Sequence, residues 1–551
     1  MAQSPTWSAP LLTAMALLAG CTASTIESPA VAVAVMDHEG APLGSVAVAP
    51  SCDPAVADAV RRGFALLHNM TYTAAEAEFA SVLEEDPECG IAHWGRAMSF
   101  VHPLWPDVPT AEQLKLGAEI LAEAREADHL SALERSYVEA LAAYYEEAGS
   151  RTEGERITGF WEGWSRTAAA FPEDREAQLF LALAEIAKAT GSANRVADQI
   201  AAGQRAEQVL QEIPDHTGAL HYIIHAHDLA ELAERALPAA RTYGEVAPDN
   251  SHALHMTSHI FTRVGQWDES VRYNSRAADA GLQNPVNGAL AFDYLHAVDY
   301  LVYAALQRGD DVFAHRIRSD VEALEGPIQN HPASAYALAA VPVRIALERG
   351  DWASARTLPV RQPEDFPWDG YPQFEAMVHF ARGLGAAREG AVAEAQAALA
   401  ALQTLREAAG GLPIQYDWAT QVEIQEMALA AWLAYMGGEI ETGIQGMADA
   451  AELEATTVKN PVTPGEVLPA GELLGDMLAL ENRHAEALEA YEAALSRTPN
   501  RLNSLIGAAR AARAMGDEQR ADTHYRAILS MAVPEARLEA IAEARRVAGG
   551  A

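Results

Sequence analysis

Four histidines fall into two pairs, each one helical turn apart. His221 and His225 stand in His221-Tyr-Ile-Ile-His225, and His255 and His259 in His255-Met-Thr-Ser-His259. Residues four apart share one face of a helix, with Cβ atoms about 5–6 Å from each other. The second pair repeats the first after 34 residues. Neutral imidazole suits zinc, copper, iron and nickel, and a carboxylate is a common further ligand. Eight of the 18 histidines lie between residues 216 and 296, where an even spread would place roughly three. Three chemistries are open to such a cluster. It can bind a metal ion, recognise an anion through partly protonated imidazoles, or form a buried polar network that only shapes the fold.

A 34-residue period is the length of a two-helix repeat that stacks into a solenoid. Almost everything from about residue 53 onward carries a helical pattern, with turn residues at regular ends. Gly475, Ala487 and Pro499, then Ala509, Gly516 and Ala521, mark two consecutive units near the C-terminus. Gly63, Ala75 and Pro87 mark the first. Pro214, Ala236 and Pro248 frame the unit of His221, and Gly265, Trp267 and Ser270 mark the unit of His255. Small residues let paired helices approach closely, and proline ends the second helix.

This pattern resembles the tetratricopeptide-repeat family over most of residues 53 to 535. The resemblance implies an all-α, TPR-like α-solenoid of about ten helix-turn-helix repeats within residues 52–551. Its clearest units are 53–88, 217–250, 251–284, 468–501 and 502–535. The phrases Asp86-Pro-Glu-Cys-Gly-Ile-Ala-His-Trp-Gly95 and Pro469-Ala-Gly-Glu-Leu-Leu-Gly-Asp-Met-Leu478 are similar to those of secreted bacterial repeat proteins. In this family, places 2, 5, 9 and 12 of each first helix line the concave face. With Gly265 as place 15, His252, His255 and His259 take places 2, 5 and 9. His221, His225 and Asp228 take places 5, 9 and 12 of the preceding unit. With Gly309 as place 15, His296, Asp299 and Tyr303 take places 2, 5 and 9 of the following one.

Three adjacent inner helices therefore turn ligand-capable stripes toward one groove. His221, His225, His252, His255, His259, His296 and Asp299 form the candidate metal shell, for zinc, iron or copper. His227, at place 11, falls outside it, and His216 stands where it could cap the helix. His68, His93, His102, Trp94 and Trp105 gather around the first two units. No His-Glu-x-x-His, serine-nucleophile or phosphate-loop motif occurs. The expected function is a TPR scaffold with a ligand site in its groove. The alternative is a hydrolytic or oxidative metalloenzyme centred on the histidines.

The chain carries 39 basic and 77 acidic residues, a net charge of -38. Such a surface repels nucleic acid and anionic membrane. Leu11 to Gly20 is apolar but too short to span a bilayer. It ends in Leu18-Ala19-Gly20-Cys21, which resembles the bacterial lipobox, so residues 1–21 read as a signal peptide with Cys21 as the lipidated residue. Residues 22–51, rich in Ala, Val, Ser and Pro, read as a flexible tether. With Cys21 given to lipid, Cys52 and Cys89 remain as a candidate disulfide in an oxidising periplasm. The expectation is a lipid-anchored envelope protein that meets the membrane only through that lipid and meets a protein partner through its solenoid.

Overall fold

The computed structural model describes Met1 and residues 30–105, 107–412 and 416–548. Twenty-five α-helices run through the described residues, with a single two-stranded sheet. Consecutive helices pack on one another from Ala57–His68 to Glu518–Met531 as twelve helix pairs, and Glu539–Ala548 covers the last one. The molecule is an all-α, tetratricopeptide-like solenoid. The count exceeds the ten or so units expected from the spacing. One extra pair, Ala132–Tyr145 with Glu153–Ala170, makes its close approach at Gly159 and Gly163 on the second helix. A side chain at either glycine would strike the carbonyls of Ala143 and Ala140. The small residues that mark this unit therefore sit outside the usual places.

Helix starts follow local chemistry. Thr110, Ser131 and Thr152 each close a capping box, with Gln113, Glu134 and Glu155 reaching back. Asn250 caps the His255 helix by accepting from Ala253 N. Two prolines within helices, Pro238 and Pro342, are accommodated in Ala233–Val246 and Pro332–Glu348.

Two features depart from the expected open array. Within the stretch read as a tether, Val33–Met36 and Pro42–Val46 form an antiparallel hairpin turning through Asp37 to Ala41. It is docked, not free. Ser45 N donates to Asp215 O at 3.0 Å, and Ala47 N donates to the Glu176 carboxylate at 2.6 Å. Gly44, at φ 88°, lies so close to Thr217 and Val246 that a Cβ would meet both within 3 Å. Only glycine combines that backbone with that approach.

Second, the superhelix closes on itself. The first unit packs on the His221 helix, where Thr217 and Tyr243 hydroxyls both donate to Asn69 Oδ1 at 2.8 Å. The last units return to the middle of the chain. Trp267 Nε1 donates to Asn500 O at 2.8 Å, and Val533 N donates to Arg308 O at 3.0 Å. Arg501, fully buried, holds Glu348 and Glu472 at 2.7 Å each. Between these ends, residues 457–469 run as a strap across the inner face. Cys52 and Cys89 are joined as a disulfide with Cα atoms 4.9 Å apart, tying the chain before the first helix to the start of Gly90–Met98. Cys21 lies outside the described residues. No helix among the described residues is long and apolar enough to cross a membrane.

A candidate metal centre of two histidine trios

Three first helices carry the cluster: Thr217–His227, Ser251–Arg263 and Phe292–Gln307. Neighbours in this set touch directly. Their histidines gather as two trios. His221, His225 and His252 bring one nitrogen each within 4.8 Å of the others, and so do His255, His259 and His296. Ring centroids are 4.7 Å apart for His221 and His225, 5.1 Å for His221 and His252, and 4.1 Å for His255 and His296.

Among the described residues the histidines do not line the open groove expected from the repeat pattern, because the closing ends and the strap cover them. His221 is 0 % exposed, His259 1 % and His255 2 %. Burial, with neighbouring imidazoles, holds His225, His252, His255 and His296 well below the ordinary histidine range. For His221 it does so to about 3. Burial lowers His259 too, against the pull of Asp228.

The outer hydrogen bonds fix which nitrogen carries each proton. His221 Nδ1–H donates to His68 O at 2.6 Å. His255 Nδ1–H donates to Asn274 Oδ1 at 2.8 Å. The Asn274 amide orientation is set independently, since its Nδ2 donates to Ser270 O at 2.8 Å and Ser258 Oγ donates to its Oδ1 at 3.1 Å. His259 Nδ1–H donates to Asp228 at 2.9 Å. Burial opposes ionisation of Asp228, but Lys459 and Arg263 outweigh it and hold this carboxyl well below its usual range. Each of these imidazoles therefore presents a bare Nε2 lone pair inward.

Two consequences follow. His255 Nε2 and His259 Nε2 lie 2.9 Å apart, each ring with its Nδ1–H already engaged on the far side. Two lone pairs at that distance repel unless a cation stands between them. Tetrahedral nitrogen ligands at the usual zinc distance stand about 3.3 Å apart, close to this separation. In the other trio, His221 Nε2, His225 Nε2 and both nitrogens of His252 are buried without a hydrogen-bond partner, as is His296 Nδ1 in the second. Buried polar atoms without partners are costly, and here they cluster on one spot. The residues present fit a metal ion.

Asp299, the carboxylate expected to complete the shell, belongs elsewhere. It is wholly buried against Arg344, with Nε donating to Oδ1 at 2.8 Å. Its place in the repeat is equivalent to His221 and His255, but the chain supplies its own cation there. The carboxylate beside the first trio is Asp293, 3.8 Å from His252 Nδ1, and burial pushes its carboxyl up to about 7. His227 is buried against Gly203 on the preceding second helix, away from both trios. His216 occupies the N-cap of Thr217–His227 but makes no capping bond with its side chain; its Nε2 meets Glu176 instead at 3.1 Å.

Other contributors escaped the sequence pattern. Asn274 sits on a second helix, where the place rule gives no ligand role. Tyr300 stacks on His259 at 4.8 Å, and its hydroxyl lies 2.8 Å from Pro461 O and 2.9 Å from Thr463 O on the strap. Lys459 Nζ donates to Thr463 O at 3.0 Å, 4.0 Å from Asp228. Trp105 lies 5.5 Å from the His252 ring, walled by Phe292 and His331. Trp94 is core, packed among Phe64, Trp164 and Phe180.

No protein-family description matches this sequence, and no curated protein matches it. Among solved structures, one similar to this chain is described as the structure of Naa15/Naa10 bound to HypK-THB. The match has 12% identity over 86% of this chain and 70% of that chain, with a TM-score of 0.24. At that distance it carries no argument about ligand or partner. The fold class rests on the helix pairs themselves.

Proposed function

We propose that this protein is a metal-binding repeat scaffold whose ion is held by the histidine cluster at the closed centre of its superhelix. The observation that carries the reading is the pair of Nε2 atoms of His255 and His259 at 2.9 Å, each ring fixed by a donor bond on its far side. Such outer partners orient ligating imidazoles and raise their basicity. Burial disfavours the protonated form of all six rings, which favours a cation over an anionic ligand. A set made only of imidazole points to zinc, copper or iron rather than magnesium or calcium.

Around this centre the rest of the reading is an envelope protein. The Cys52–Cys89 disulfide fits an oxidising compartment. A lipid on Cys21 would anchor the chain without spanning the membrane. Because the inner face is filled, a protein partner would meet the outer, acidic surface. A second reading, a hydrolytic or oxidative metalloenzyme, draws on one observation. Three protein ligands per ion leave a fourth position for water or substrate.

The test is elemental analysis of the full chain, purified without a histidine tag, beside a His225→Ala/His259→Ala variant. Near-stoichiometric transition metal in the parent and little in the variant is the expected result. An absence of metal in both, after reconstitution with zinc, iron and copper, refutes it.

A further inference from the structure

The two trios are copies of one another under the repeat. Each takes places 5 and 9 of one first helix and place 2 of the next. His221 and His225 join His252; His255 and His259 join His296. Whatever one trio holds, the other holds one unit further along the superhelix. Adjacent helix axes stand about 8–10 Å apart, so corresponding points in the two trios are separated by about that distance. A single oxygen bridges two ions only when they are about 3.5–4 Å apart.

The third copy of this arrangement is already filled. Asp299 and Tyr303 take places 5 and 9 of the next first helix. The guanidinium of Arg344 lies against both, bonded to Asp299 and 4.9 Å above the Tyr303 ring. Arg344 is fully buried, and Gly465 O, Glu466 O and the Thr463 hydroxyl accept its remaining donors. Arg501 follows, 6.0 Å from the same Tyr303 ring. The interior thus carries a line of cationic places along its axis. The last two are occupied by side chains and the first two by converging lone pairs.

We propose that the two trios hold two separate transition-metal ions, one repeat apart and unbridged, in a row of buried cations that Arg344 continues. This rests on the metal-binding reading above. Separation also suits the chemistry, since all six ligands are neutral and supply no charge to offset two close divalent ions.

The experiment uses the full chain, stripped of metal and titrated with copper(II). Two ions per chain are expected in the parent and one in each of His225→Gln and His296→Gln. The variants His252→Gln and His255→Gln repeat the dissection from different helices, should either of the first pair fail to fold. Electron paramagnetic resonance of the loaded parent should account for two full spins per chain, with a dipolar splitting corresponding to about 8–10 Å. Loss of both ions from every single variant overturns the proposal, as does a spin count near zero in a chain that holds two copper ions, the mark of a bridged pair. A parent that binds no copper, zinc or iron at all overturns the underlying reading as well, and so is distinguishable from either.

Discussion

At the scale of single residues, the histidine cluster depends on groups that lie outside it. Asn274 illustrates this. Its Oδ1 fixes the His255 tautomer while its own amide is tied to Ser270 O. Replacing Asn274 with alanine leaves the His255 Nδ1–H without its acceptor, free to take the other tautomer. Loss of such an outer partner costs 10- to 100-fold in metal affinity, roughly. The expectation is that Asn274→Ala weakens one ion by about that factor and leaves the ion of the first trio unchanged, read by titration against a competing chelator. Equal weakening of both ions would contradict it. The gathering of the six histidines was legible from spacing and family resemblance together, because place-to-place register survives folding. Asp299 was legible as a residue of the inner face but not as a buried partner of Arg344. Register gives the place of a side chain and not the identity of the cation beside it. With Gly350 as place 15, Arg344 falls at inner place 9, which was the available signal.

At the scale of elements, helices were readable and the hairpin was not. Val33–Met36 and Pro42–Val46 are short and apolar, and part of their dock, at Glu176 and Asp215, lies more than a hundred residues away in sequence. That part is electrostatic. Glu176 accepts from Ala47 N and from His68 Nε2, at 2.6 Å each, and meets His216 at 3.1 Å. Burial opposes its ionisation, yet His216 and His68 outweigh it and hold its carboxyl well below the usual range. A carboxylate depressed in the folded state contributes stability above its unfolded pKa of about 4.3 and loses it as pH falls below that value. The parent should therefore lose stability below about pH 4 more steeply than Glu176→Gln, whose amide does not titrate. The steeper loss should accompany faster hydrogen exchange in residues 33–47. Parallel pH curves for the two chains would remove Glu176 from this role.

At the scale of the whole molecule, an ordinary solenoid behaves as a one-dimensional stack in which each unit feels only its neighbours. Here the first and last units clasp the middle. The sequence could not announce this, since a repeat period encodes neighbour contacts and says nothing of units that meet after a full superhelical turn. The Asn69 bonds and the Arg501 pairs make distant segments interdependent. Far-ultraviolet circular dichroism and tryptophan fluorescence should report one coincident thermal transition. Arg501→Met strands Glu348 and Glu472 in the interior, a cost of about 3–5 kcal/mol for a broken buried pair. It should split off an earlier melting step for the C-terminal units, and a transition that stays single and unshifted would argue against the clasp.

Closure also imposes an order in time. The three histidine helices are complete once residue 307 has emerged, whereas Lys459, Thr463 and Arg501, which seal them, belong to the last third of the chain. At a synthesis rate of roughly 5–20 residues per second, the interval between residues 307 and 459 lasts about 8–30 s. During that interval the chain carries all six imidazoles and none of the residues that cover them in the closed fold. Vectorial growth of the chain thus delivers the histidines first and the residues that shut them in afterwards.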